Sequence, residues 1–540
     1  MASLFFNYVM LLNNLLLIIV LLMVVSLFSM LSEKLRISYP IFLVICGLCI
    51  GFIPKVLDIA LEPELVFLIF LPPLLYAAAW NTSWKDFWAL RRPIGLLALG
   101  LVIFTSCAVA VVAHLLIPGF SLALGFLLGG IISPPDAIAA TSVLEKLSIP
   151  RRVVNILEGE SLVNDAASLI VFRFALAAVL THKFVLLEAG LDFVIVVIAG
   201  ILVGLAIAIF IYAVHRFLPT TASIDTAITL ITPYLMYVTA EHFHFSGVLA
   251  VVSGGLFLSA RSTEVFSFST RLQSQGVWDT LVFLLNGVVF VLIGLQLPLI
   301  LKSLDPATIH HAIYYGVTIS IVTIFVRIIW VFPAAYLPRL LSKKTRAKEA
   351  APDWKPVFII AWSGMRGVVS LAAALSIPLT LSSGLAFPQR DLILFISFIV
   401  ILCTLVLQGL SLPLLVHAFG MESNDDKTEQ ELEIQMHLVS SVLAYIKTRY
   451  SEEIETDHAF GVLKRRYEHL MKTQQKQLSV EEDMPSYIFA YRAALLELIE
   501  VRRKALEEMS ADKKYPDELI RNIEKRIDHE EASLSIALEK

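Results

Sequence analysis

The chain has 540 residues, of which 57% are hydrophobic and only 16% are charged, with a mean hydropathy of +0.79. Soluble domains carry roughly 25% charged residues, so a soluble enzyme is excluded and a polytopic, all-α membrane protein is indicated. The net charge of −4, with no Gly-rich phosphate loop and no basic run interleaved with aromatics, points to the lipid bilayer as partner and not to nucleic acid.

The first apolar run, Tyr8 to Leu31, is long enough to span, and no Lys or Arg precedes Lys34. A retained first transmembrane helix is therefore expected in place of a secretory signal. Apolar runs bounded by charges, Pro or Gly then give about thirteen spans, near residues 8–31, 39–54, 64–80, 93–117, 121–145, 155–181, 187–214, 225–240, 244–260, 278–300, 309–336, 355–378 and 391–418. An odd number places the termini on opposite sides.

Lys and Arg concentrate in alternate loops. One set holds Lys34, Arg36, Lys85, Arg91, Arg92, Lys146, Arg151, Arg152, Arg216, Arg261, Arg271, Arg339, Lys343, Lys344, Arg346, Lys348 and Lys355. The other holds Lys55, Lys183, Lys302 and Arg390. This asymmetry predicts an outside N-terminus and a cytoplasmic C-terminus. Cys46, Cys49, Cys107 and Cys403 all fall in apolar spans and read as packing residues; the CxxC of Cys46 and Cys49 sits in a hydrophobic helix and is not expected to bind metal.

In the fifth span, Ser133-Pro134-Pro135-Asp136 interrupts an apolar run. Two prolines remove two amide donors and clash with the preceding turn, so carbonyls near Gly130 and Ile131 lose their partners. Such backbone is tolerated at membrane depth only inside protein or beside a water-filled cavity, which predicts a broken helix near the membrane centre. Asp136 is expected to face that cavity, and it is also placed to cap the second half-helix.

The sixth span carries Gly159-Glu160-Ser161-Leu162-Val163-Asn164-Asp165. At 3.6 residues per turn Ser161 and Asp165 share one face, and Glu160 and Asn164 the adjacent one. Ionisable groups at this depth are costly and mark ion pathways. Arg173 lies about 12 Å further along the helix, where it either snorkels to a surface or pairs with a core acid.

His242 and His244 flank Phe243 at the edge of an outer loop and read first as solvated histidines, with a metal or pH-sensing role as the alternative. Asn286 in the tenth span is expected to hydrogen-bond between helices in preference to binding an ion. In the twelfth span, Trp362-Ser363-Gly364-Met365-Arg366-Gly367 forms a second polar, Gly-broken patch. Arg366 cannot shed its proton and needs a buried carboxylate, for which Glu160 is the candidate. The fifth and twelfth spans cross the membrane in opposite directions, as an inverted repeat requires. From about Met421 the composition turns charged and helix-periodic, for example over Tyr487–Ala511, predicting a cytoplasmic helical domain over 421–540 behind a transmembrane domain over 1–420. Its reading stays open between assembly and regulation.

At these residues the sequence resembles the sodium/proton antiporters of the cation/proton antiporter superfamily, in the monovalent cation:proton antiporter-1 branch with an Asn-Asp pair. The resemblance covers residues 10–420 and rests on Ser133-Pro134-Pro135-Asp136, Gly159-Glu160-Ser161 with Asn164-Asp165, and Gly364-Met365-Arg366-Gly367. It implies a fold of thirteen helices with crossed discontinuous helices, a homodimer in the cell membrane, and no cofactor beyond the transported Na+ or K+ and H+. It further implies that Asp165 binds proton or cation in turn, that Asp136 and Ser161 help coordinate, that Asn164 supports Asp165, and that Glu160 pairs with Arg366.

Two departures stand out. After Pro72-Pro73 the third span reads Leu74-Leu75-Tyr76-Ala77-Ala78, without the acid usual there, and Pro135 replaces the Thr common before the fifth-span Asp. Both thin the oxygen shell. The expectation is a secondary transporter and not an enzyme, exporting sodium, with lithium or potassium as further substrates, against protons. With Asn164 neutral, the family pattern implies one cation per proton. A potassium/proton exchanger, an intramembrane hydrolase and a channel are the alternatives.

Overall fold

Backbone in hydrocarbon has to bond within its own segment, and the chain meets that demand with helices. The computed structural model describes residues 2–35, 38–53, 63–144, 147, 149–181, 186–304, 308–341, 352–381, 384–421, 425–479, 486–511 and parts of 520–531. Of the loop cations used for orientation, Arg36, Lys55, Lys146, Lys183, Lys343, Lys344, Arg346 and Lys348 lie outside the described residues.

Two compact units divide the chain, Met1–Glu422 and Ser423–Lys540. In the first, the apolar runs fall, among the described residues, on single helices or on consecutive helical segments. Among the described residues, eight helices are long and apolar enough to cross a membrane, and Tyr39–Gly51, Leu68–Asn81 and Gly247–Ala260 are shorter apolar stretches. Several helices start on a hydroxyl cap, where the side chains of Ser121, Thr221, Ser246 and Ser267 accept from the backbone N–H three residues on.

Two spans are discontinuous. One helix runs Leu122–Ile132 and restarts as Ala137–Leu144, so the break coincides with Ser133–Asp136. The other runs Trp354–Trp362 and restarts as Val368–Leu375, leaving Ser363–Gly367 outside any helix. The Pro72-Pro73 pair, by contrast, lies inside the continuous helix Pro63–Asn81. A third irregularity was not foreseen: Leu96–Leu101 is a π-helical stretch leading into Val102–Leu116. The Trp330 indole donates to the Leu96 carbonyl at 3.0 Å, satisfying a group that the widened turn exposes.

Small residues let helices approach closely. Gly125 and Gly129 lie against the Ala110 and Ser106 backbone, where a methyl group would meet atoms at 2.7 Å. Two apolar clusters result. The larger gathers Leu127, Ile131, Ala140, Phe290, Ile359, Phe395 and Ile401 around the broken helices. The smaller joins Tyr76, Met236, Val251 and Leu256. The helix Arg151–Thr181 belongs to both, contributing Ile156, Leu157 and Phe172 to the first and Leu162 and Ala166 to the second.

The second unit is helical over Asp425–Arg449, Ser451–Thr456, His458–Ser479 and Ser486–Ala511. Asp457 caps its third helix by accepting from Ala459 N at 2.8 Å, and Tyr450 packs on Phe460. Arg503 pairs with Asp528 and Glu531, and Arg502 with Glu530.

Candidate functional site

The two broken segments meet. Asp136 N–H donates to the Met365 carbonyl at 2.7 Å, joining the two breaks backbone to backbone. The Asp136 carboxylate turns back to accept from Ile138 N at 2.9 Å, capping the helix Ala137–Leu144. Gly367, which begins the helix Val368–Leu375, lies so close that a methyl group there would collide with Asp136 Oδ2. The positive N-terminal ends of two half-helices thus converge on one carboxylate.

Several carbonyls at the breaks find side-chain donors. Ser133 Oγ donates to Gly130 O at 3.2 Å. Arg366 Nε donates to Ile132 O at 2.9 Å, and its Nη1 to Gly364 O. Asn164 Nδ2 donates to Pro135 O at 2.9 Å, tying the helix Arg151–Thr181 to the break. The Asn164 amide is therefore spent on backbone, and its Oδ1 has no partner among the described residues.

One pairing departs from expectation. Glu160 is bound by Arg327, from the helix Ile309–Leu341, through Nη1–Oε1 at 2.5 Å and Nη2–Oε2 at 2.8 Å. Arg327 also donates to Ile360 O from Nη2 at 3.1 Å and from Nε at 3.3 Å. Arg366 is not the partner of Glu160. A guanidinium delivered by a neighbouring helix reaches the carboxylate fork-on-fork, whereas Arg366 is turned toward the end of the opposite half-helix. The Arg366 backbone N–H donates to Thr404 Oγ1 at 3.1 Å, holding that orientation. Each half-helix C-terminus, at Ile132 and near Ile360, thereby receives an arginine against its negative end.

A cavity of about 290 Å³ opens between the helices Pro63–Asn81, Arg151–Thr181 and the breaks. Asp165, Asp136 and Ser161 line it, with Pro134, Pro135 and Gly367. Glu158 lines it too, and no Lys, Arg or His does. Ala77 and Ala78, at the positions lacking the expected acid, also face it. Asn286 lines the same cavity with its Oδ1 unpartnered among the described residues, contrary to the expected interhelical bond. An adjoining cavity shares Tyr39, Ala77, Asn81, Val282 and Asn286 and continues to Arg271, Gln275 and Asp279.

The family model for the transmembrane sodium/hydrogen exchanger matches residues 18–418. The chain belongs to the sodium/hydrogen exchanger family. It is 36% identical over 388 residues to the sodium, potassium, lithium and rubidium/H+ antiporter of Bacillus pumilus strain SAFR-032, covering 70% of this chain and 58% of that protein. It is 33% identical over 382 residues to the low-affinity Na+/H+ antiporter NhaS1 of Synechocystis, covering 70% of this chain and 68% of that one. In fold it is similar to the sodium proton antiporter MjNhaP1 of Methanocaldococcus jannaschii, with a TM-score of 0.60 at 18% identity over 77% of this chain and 100% of that chain.

Within this exchanger fold two residues had escaped the sequence reading. Glu158 stands seven positions before Asp165, which returns to the same helix face. Arg327 is a single charge inside the apolar stretch Thr323-Ile324-Phe325-Val326-Arg327-Ile328-Ile329-Trp330, and an isolated charge at that depth demands a partner. Arg173 is exposed and pairs at 2.7 Å with Glu241, a partly exposed acid, so it reaches a surface and its partner is not a core acid. His242 and His244 are both exposed, and the four cysteines are free thiols.

Proposed function

We propose that this chain exchanges a monovalent cation for a proton across a cell membrane, with Asp165 as the shared site, and that sodium is its main cation. The observation that carries the reading is the cavity itself, in which Asp165 and Asp136 lie together with no basic side chain among the lining residues. A bare carboxylate away from bulk water is costly, so this site holds either a proton or a cation, and competition between them produces exchange. Asp136, Ser161 and the Asn286 carbonyl oxygen supply further oxygens, and Asn164 supports Asp165 by fixing the break beside it.

Alternating access follows if the protein reorients only with the site neutralised. One titrating Asp beside a neutral Asn favours one cation per proton and no net charge transfer. The alternation of loop charge supports an outside N-terminus and a cytoplasmic tail. The paired cavities leading toward Arg271 then correspond to an inward-open state. A homodimer is proposed on family grounds.

Named substrates of the relatives include potassium, lithium and rubidium as well as sodium, so a potassium/proton exchanger is the second reading. Proteoliposomes separate them. Dissipation of an imposed pH gradient by sodium, potassium and lithium is compared for wild type and Asp165→Asn, with the membrane potential clamped and unclamped. Exchange that persists in Asp165→Asn overturns the site, a rate that follows the clamp overturns electroneutrality, and a potassium-only response selects the second reading.

A further inference from the structure

At the Arg-rich end of the bundle a separate cavity of about 300 Å³ lies between the starts of the helices Arg151–Thr181 and Trp354–Trp362 and the end of Ile309–Leu341. Its lining combines two chemistries. Arg92, Arg152 and Arg339 surround it, while Leu97, Ile156, Val331, Ala335 and Val357 form an apolar wall. Asp353, an exposed residue, is the one acid in the lining. Arg339 Nη1 is buried yet has no hydrogen-bond partner among the described residues, leaving a charged donor without an acceptor. An orphaned guanidinium N–H is expensive, and the arrangement is relieved by an anion. The two helices that begin here add their positive ends.

We propose that this cavity binds the headgroup phosphate of an anionic phospholipid, with the glycerol and upper acyl chain against the apolar wall. Basic pockets between transmembrane helices recognise such headgroups through the charge of the phosphate and the fork geometry of arginine. A soluble anion would leave the wall of Leu97, Ile156 and Val357 unused. Occupancy reaches the ion-site machinery, because Ile360 also lines the cavity and its carbonyl is the one held by Arg327. A bound lipid therefore braces the first half of the broken helix Trp354–Trp362.

The test is thermal unfolding of the purified full chain in nonionic detergent, titrated with phosphatidylglycerol, phosphatidylcholine or inorganic phosphate. Phosphatidylglycerol is expected to raise the melting temperature of wild type, and the other two are not. In Arg152→Gln/Arg339→Gln the half-saturating phosphatidylglycerol concentration is expected to rise about thirtyfold, the factor two arginines supply near an anionic surface. Ala335→Phe fills the cavity while keeping every arginine and is expected to lose the same response, which keeps the test decisive should the double variant fold poorly. Undiminished phosphatidylglycerol stabilisation in Ala335→Phe or in the double variant overturns the proposal. Equal stabilisation of wild type by inorganic phosphate also overturns it, in favour of a soluble-anion site.

Discussion

Arg327 holds Glu160 with two parallel hydrogen bonds in a fully buried setting, where the residues are 0% and 1% exposed at the side chain. Removing one member of a buried pair strands the other, at a cost of ~3–5 kcal/mol. Arg327→Ala and Glu160→Gln are therefore each expected to lower the melting temperature and the yield of folded protein in the membrane. A volume-conserving double replacement, Glu160→Gln with Arg327→Met, should recover much of that loss, since no uncompensated charge remains. The check is a double-mutant cycle by thermal unfolding. Additive losses would show that the two side chains are not energetically a pair.

The helices and the two breaks were legible because their causes are local. Pro134 and Pro135 remove amide donors, and Gly364 and Gly367 flank a charge within an apolar run. The pairing of Glu160 was not legible, because partner choice depends on which helices lie side by side. Arg327 and Arg366 both approach Gly364, where an added methyl would sit 2.9 Å from Arg327 Nε and 3.0 Å from Arg366 Nη1. No spacing rule distinguishes which of two such arginines turns to a carboxylate far away in sequence, 167 positions from Arg327, and which turns to a carbonyl. The π-helical stretch at Leu96–Leu101 was hidden for a similar reason, since the indole that satisfies it comes from Trp330. Pro72-Pro73 shows the converse limit: the same dipeptide that marks a break in the fifth span sits within an unbroken helix in the third.

Gly367 is the point where the second broken helix approaches Asp136, and space there admits hydrogen only. Gly367→Ala is expected to push the Asp136 carboxylate off its cap at Ile138, with an overpacking cost of about 1–3 kcal/mol. Exchange in proteoliposomes should fall at least tenfold while the protein remains folded enough to purify. Gly190, by contrast, has no atom within 4 Å of an added Cβ, and Gly190→Ala serves as the control. Unimpaired exchange in Gly367→Ala would show that the contact between the breaks has no part in the cycle.

Ala77 and Ala78 face the cavity that holds Asp165, and Ala78 is the exposed one of the two. An acid at 78 would add a further carboxylate to a lining that already holds Asp136, Glu158 and Asp165 and has no basic side chain. At a separation of roughly 8 Å and an effective dielectric constant of about 20, such a charge attracts a cation by about 2 kcal/mol. Ala78→Asp is therefore expected to lower the half-saturating sodium concentration by about thirtyfold. Ala77→Glu should cost more in stability, because Ala77 is buried and the longer side chain has little room. Concentration dependence of sodium-driven proton movement decides the matter, and an unchanged half-saturation in a well-folded Ala78→Asp would show that the missing acid has no bearing on this site.

Arg173 and Glu241 join the helix bearing Asp165 to the helix Ala222–His242, and Glu241 Oε1 also accepts from Gly247 N at 3.1 Å. The two adjoining cavities lead from Asp165 toward Arg271, while this ion pair sits about 12 Å from Asp165 along the helix in the other direction. On the proposed cycle the pair has to open when the site faces the Arg-poor side. Both members are partly exposed, at 47% and 29% of the side chain, so the pair contributes no more than about 1 kcal/mol. Arg173→Gln is accordingly expected to shift the balance of access by up to about fivefold and to leave the melting temperature nearly unchanged. Ser161→Cys, in a background with the four native cysteines replaced, reports that balance through impermeant thiol reagents applied to each face of oriented vesicles. Labelling should be faster from the Arg-rich side in the parent, and Arg173→Gln should raise the rate from the opposite side. An identical labelling ratio in parent and Arg173→Gln would mean that this ion pair is a surface contact with no share in the opening of the site.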